Sequence, residues 1–334
     1  MSDDIDELLG VREIEVDTER ALARLRARVE RDRIRPVTRA AARRDGPLVS
    51  LWVKGLAAAA SVALIATLLT VSGVAETILT IFEPKQVVAV PITTTDIQRA
   101  VAGLGSYGTL EFSTPPKPYD VPDVATAAKD SGIVVLVPGQ LPSGVSIATA
   151  RYGVMPRTTA TFTFSAEKTR ASASRLGRTP PPMPANIDGA KLFITGGPAV
   201  VQYFDDGTAP KGDTGDPFAT LPKLVVAQGK GPIVRSDGVT VEQLQQYLLA
   251  QPGVTPQLAA QIRAIKDPSS TLPIPIPVDM ATSKNVTVQG APGVFVGDST
   301  GLGSAVIWQK DGIVFGVAGT LTESQILAVA NSLH

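Results

Sequence analysis

The two side chains most versatile in nucleophilic and metal chemistry, histidine and cysteine, are nearly absent from this chain, which narrows the options. The single histidine is His334, the last residue of the sequence, and there is no cysteine. A Ser/His/Asp triad needs an imidazole held between nucleophile and carboxylate, which an untethered terminal side chain does not supply. Zinc sites need clusters of histidine and cysteine, and neither exists here. One group of acids set among glycines runs from Asp205-Asp206-Gly207 to Asp213-Thr214-Gly215-Asp216. Four carboxylates among glycines invite calcium, but the spacing does not fit an EF-hand loop and Lys211 sits inside it, so a solvated loop is expected. Gly301-Leu302-Gly303 is a glycine pair in a loop, too little for a phosphate cradle. The other carboxylates are scattered, and sequence does not say whether any two face each other. The expectation is a protein that binds rather than catalyses, with no cofactor and no metal.

The candidate binding residues are Leu22, Leu25 and Val29. Asp17 is a plausible N-cap, and these three come after it at i, i+3 and i+7 as one narrow apolar stripe among arginines. Pro36 ends the pattern. One short helix cannot bury such a stripe alone, so it either binds a partner or lies solvated beside a membrane and orients the segment after it. Residues 37–50 read as a basic collar attracted to anionic lipid. No aromatic residues interleave with the arginines and no recognition motif is present, so direct nucleic-acid binding is not expected.

The stripe is attached to residues 55–75, GLAAAASVALIATLLTVSGVA, a run without charge. A bilayer core needs roughly 20 apolar residues of helix. The run therefore predicts one membrane crossing. Gly73-Val74-Ala75 resembles a cleavage site, but a signal peptide is shorter and starts nearer the N-terminus. Residues 20–44 hold ten arginines and two acids, whereas residues 1–19 hold eight acids and one arginine. The basic side precedes the run, which places the N-terminus in the cytoplasm and the C-terminal part outside. The zero net charge hides this segregation.

The expected fold class is α+β: a short cytosolic helix, one transmembrane helix, then a β-rich extracytoplasmic domain with an inserted helical hairpin and a C-terminal helix. The expected divisions are a cytosolic interaction segment (1–50), the transmembrane helix and its extension to Phe82 (51–82), an extracytoplasmic stalk rich in Gly, Pro and Ser (83–120), and the outer domain (121–334). Within the last, Ile133–Val137 reads as a buried strand, and Thr159–Ser165 as half of a hairpin with alternating Thr and Phe. Residues 238–266 read as the helical hairpin, opened by Thr240 and Thr255. Leu272-Pro273-Ile274-Pro275-Ile276-Pro277 must be extended and suits a sheet edge or a groove-lining arm. Asp311-Gly312 predicts a tight hairpin, and Thr322-Glu323-Ser324-Gln325 a capping box.

Two stretches carry a family resemblance. Ala125–Gly144, ATAAKDSGIVVLVPGQLPSG, and Ala305–Gln325, AVIWQKDGIVFGVAGTLTESQ, resemble the opening and the ending of the bacterial domain of unknown function 4367. The resemblance covers roughly residues 121–334. It implies an extracytoplasmic domain of the kind carried by single-pass, anti-sigma-factor-like membrane proteins. Val16–Arg26, VDTERALARLR, is faintly similar to the cytosolic stub of such regulators. The His and two Cys of the zinc-binding anti-sigma pattern are absent before the uncharged run, so a grip on a sigma factor would be metal-free. The resulting expectation is a membrane-anchored transcription regulator that sequesters a sigma factor and couples it to an outer sensor domain. The alternatives are an envelope sensor or carrier for an unknown ligand without a sigma partner, and a plain membrane tether.

Overall fold

The computed structural model describes residues 78–175, 177–207, 222–251, 254–298 and 303–334. All of these belong to one compact unit, Pro47–His334. The short helix expected over residues 17–35 and the uncharged run 55–75 lie outside the described residues.

Two antiparallel sheets make up most of the fold. The first has five strands in the order β1 (Leu79–Phe82), β10 (Ile233–Ser236), β7 (Lys191–Gly196), β6 (Thr158–Phe164) and β3 (Gly108–Thr114). The second has eight: β12 (Ala281–Val288), β13 (Ala291–Asp298), β14 (Ser304–Lys310), β15 (Ile313–Gly319), β9 (Leu224–Lys230), β8 (Ala199–Asp205), β5 (Ser146–Met155) and β4 (Tyr119–Val121). A parallel pair, β2 (Gln86–Ile92) with β11 (Thr271–Pro277), stands apart from both. Among the described residues six helices complete the order: α1 (Thr94–Tyr107), α2 (Val124–Ser131), α3 (Ala166–Arg175), α4 (Val241–Leu249), α5 (Pro256–Arg263) and α6 (Glu323–Asn331).

Period-two patterning explains the sheets. On β6, Ala160, Phe162 and Phe164 are buried, while the threonines between them are only half-buried. Phe162 and Phe164 meet edge to face at 5.0 Å and join Leu192, Val234, Leu244, Tyr247 and Ile276 in one core. The helical hairpin α4–α5 supplies part of that core through Val241, Leu244, Leu248 and Ile262. The second core lies under α6, where Ile326, Val329 and Ala330 meet Phe204, Leu224, Val306, Trp308, Phe315 and Val317 of the large sheet. Several local signals hold, although the hairpin expected to include Thr159–Ser165 does not form with the preceding strand: β6 pairs with β3 and β7, while β5 pairs with β4 and β8. Thr240 and Thr322 both form capping boxes, with Gln243 and Gln325 returning the bond. The β14–β15 turn places Asp311 and Gly312 at φ 52° and 77°, the left-handed pair that a two-residue hairpin requires.

The expected fold class is overturned. The described residues are mostly β, with 44% strand against 23% helix, and among them no helix is long and apolar enough to cross a membrane. Much of the excess strand comes from residues assigned to a helix extension and a stalk. Residues 79–82 form β1 rather than a continued helix, because Thr80, Ile81 and Phe82 suit a strand once β10 pairs with them. Ile81 and Phe82 are then buried at 2% and 1% exposure. Residues 83–120 hold β2, α1 and β3, and Val87, Val90 and Ile92 are buried. The folded domain thus begins by Leu79, not near Val121. Conversely, Ile133–Val137 is not a strand; its backbone is irregular and tied to the C-terminus, with Val137 N–H on the His334 carbonyl at 3.1 Å and the reverse bond at 3.2 Å.

Candidate functional site

Among the described residues, those singled out for chemistry are not brought together into one centre. His334 is exposed, and its backbone closes the terminal pair with Val137. Among the described residues there is no group of three or more His, Asp or Glu placed to hold a metal ion. Of the carboxylate loop, Asp205 ends β8 and pairs with Arg151 at 3.1 Å, while residues 208–221 lie outside the described residues. Burial, and then neighbouring Tyr247, pushes the Tyr107 phenol above its ordinary range, so it stays protonated and is no base. A shallow, open-sided hollow of about 460 Å³ sits at the β12–β13 hairpin, lined by Asn285, Val286, Thr287, Gly290 and Pro292. It offers no charged group.

The binding stripe Leu22, Leu25 and Val29 lies outside the described residues, and so does the expected membrane segment. What the structure adds is the attachment point. Only residues 76–78 separate the uncharged run from β1. Thr80 and Phe82 pair with Arg235 and Val234 of β10. The chain then turns through Glu83–Gln86 into β2. The amides of Glu83, Lys85 and Gln86 donate to the carbonyls of Ser269 and Ser270, at 2.9, 2.6 and 3.2 Å. The Pro84 carbonyl accepts from buried Gln309 of β14 at 3.1 Å. Residues 79–92 therefore form a strap that touches the small sheet, the large sheet and β11. Sequence reasoning missed this strap, because each of its pairings is with residues some 150 or more positions away.

Proline shapes the far side of the strap. Pro273, Pro275 and Pro277 have no N–H, so the ladder donors on β11 are the alternate residues Leu272, Ile274 and Ile276. The other edge of β11 is left without donors from Pro273 onward. The expectation of a sheet-edge role for this segment agrees with its place in the two-stranded pair.

A clasp holds the strap. The Asp267 carboxylate accepts the Ser270 hydroxyl at 2.5 Å and the Ser269 hydroxyl at 2.7 Å, ordering the turn whose carbonyls bind residues 83–86. The Ser270 and Ser269 hydrogen bonds, with help from Lys85, hold this carboxyl below its ordinary value. A depressed folded pKa stabilises the fold above the unfolded value of about 3.9 and loses that contribution as pH falls through the folded value. The urea midpoint of the wild type should therefore drop between pH 6 and pH 3. Asp267→Asn should have a lower midpoint at pH 6 and a smaller drop. An equal drop in both proteins would show that this carboxylate does not secure the strap.

Searched against known proteins, the chain matches no family model, no curated protein and no solved structure.

Proposed function

We propose that this chain is a membrane-anchored regulator of anti-sigma type. Residues 1–50 lie in the cytoplasm and hold a sigma factor through Leu22, Leu25 and Val29. Residues 55–75 sit in the bilayer, and residues 78–334 form the extracytoplasmic domain that biases the grip. The arginine asymmetry about residues 55–75 and the resemblance of the two outer stretches support the layout. The observation that carries the coupling is the short junction: three residues, 76–78, between the uncharged run and a strand built into the core. A long stalk would absorb any movement of the outer domain. A strap pinned within three residues passes displacement or rotation of β1 directly to the anchor.

The test is retention from native cytosol by the tagged full-length chain, with bound proteins identified by mass spectrometry. A sigma factor is expected with the wild type and is lost with Leu22→Asp/Leu25→Asp. The same factor retained by both would overturn the assigned grip. Retention of no sigma factor by a soluble, folded wild type would overturn the anti-sigma reading and favour an envelope sensor.

A further inference from the structure

The four end strands of the two large sheets are not treated alike. An open strand edge is a template for pairing with another chain, and proteins usually blunt it with charge, irregularity or shortness. β12 carries Lys284, paired with Glu323 at 2.8 Å, among Ser, Asn and Thr. β1 is four residues with a register shift, and β4 is three residues. β3 carries one acid, Glu111, and its register shift comes only after Phe112. It runs regularly from Gly108 to Phe112, and Leu110 and Phe112 stand 41% and 50% exposed.

The hydrogen-bond pattern says which groups the free edge offers. Ser165 N–H donates to the Tyr107 carbonyl at 2.9 Å, one residue outside the Gly108–Phe164 pair. That pair is therefore a non-hydrogen-bonded one, and bonding alternates along an antiparallel ladder. Thr109 and Glu111 turn their backbone groups to β6. Gly108, Leu110 and Phe112 turn theirs outward, and the Gly108 carbonyl meets the Lys168 ammonium at 3.5 Å.

We propose that β3 pairs antiparallel with β3 of a second copy of this chain, about a two-fold axis at Leu110. In this register Leu110 faces Leu110, Gly108 faces Phe112, and Thr109 faces Glu111 of the other copy. All outward-turned backbone groups from 108 to 112 find partners. Charge selects this register. Lys168 already reaches the Thr109 hydroxyl at 2.7 Å, so Glu111 of the other copy arrives beside that ammonium, twice per dimer. Shifting the pairing by two residues instead sets Glu111 against Glu111 and runs into the register shift after Phe112. The result is a continuous ten-stranded sheet across two copies. This inference is independent of the sigma-factor reading.

The absence of cysteine makes the register readable. In the full-length chain purified in detergent, Leu110→Cys should give a covalent dimer on treatment with oxidant or a short bis-maleimide. Phe112→Cys should not, since its two thiols would lie roughly 14 Å apart along the strands. Glu111→Lys should weaken dimerisation at least about tenfold, and adding Lys168→Glu should restore it. Light scattering checks the mass, and circular dichroism checks that each variant is folded. Crosslinking at 112 but not 110, a monomer at all concentrations, or a complex with a different protein on this edge would each overturn the proposal.

Discussion

Trp308→Ala should destabilise this protein by roughly 3–5 kcal/mol, the range for removing a large aromatic from a packed core. Trp308 is fully buried on β14. Its ring stacks on Phe315, its register partner on β15, at 5.1 Å and 12°. The same cluster includes Val288, Phe295, Val306 and the α6 residues Ile326, Val329 and, just beyond its end, Leu333. The substitution thus opens a void where the large sheet meets its covering helix. A domain of ordinary stability has about 5–15 kcal/mol in hand, so the loss is a large part of the total. The indole N–H has no hydrogen-bond partner. Trp308→Phe gives up less area and removes a buried unpaired donor, whose presence costs about 1–3 kcal/mol. Phe should therefore be tolerated better than Ala by about 2 kcal/mol or more. Urea unfolding monitored by circular dichroism gives both numbers. A cost for Phe equal to that for Ala would mean that ring shape, not burial, sets the stability here.

How much was legible in the sequence depended on how far apart the interacting residues lie. The β14–β15 hairpin, the helix start at Thr240 and the capping box at Thr322 each close within a few residues, and each is present. The residues of β1 and β3 were misread because their partners are remote. β1 pairs with β10, β2 with β11, and β3 with β6 across the hairpin region. Residues 104–119, rich in Gly, Pro and Ser, read as a linker. Yet Thr93 caps α1 by accepting the Asp96 amide, and Asp279 accepts the Thr94 amide from the far side of the β11–β12 turn. The tertiary contacts override the local preference. The binding stripe was judged from spacing alone, and Leu22, Leu25 and Val29 lie outside the described residues. The strap carries little sequence signal of its own, since Glu83, Pro84 and Lys85 look like an ordinary turn.

Ile133–Val137 teaches the opposite lesson, and it yields the second large effect. Five apolar residues read as a buried strand, yet they join neither sheet; two buried glutamines take a strand's place. Gln228 of β9 accepts the Leu136 amide at 2.9 Å and donates to the Leu136 carbonyl at 2.8 Å, and Gln202 of β8 donates to the same carbonyl at 2.7 Å. Both glutamines are at most 1% exposed. Gln228→Leu fills nearly the same volume but leaves the Leu136 amide without an acceptor, which should cost about 1–3 kcal/mol. Gln202→Leu should cost less, because Gln228 still serves the carbonyl. Moreover, the Gln202 side-chain oxygen is itself buried without a partner, so its removal relieves a penalty. The double variant should cost more than the sum, since the carbonyl then loses both donors. Urea midpoints order the three variants, and hydrogen exchange at the Leu136 amide should speed up in Gln228→Leu but not in Gln202→Leu. The reverse order would mean that Gln202, not Gln228, makes the two-sided contact, and that the segment is held from β8 rather than β9.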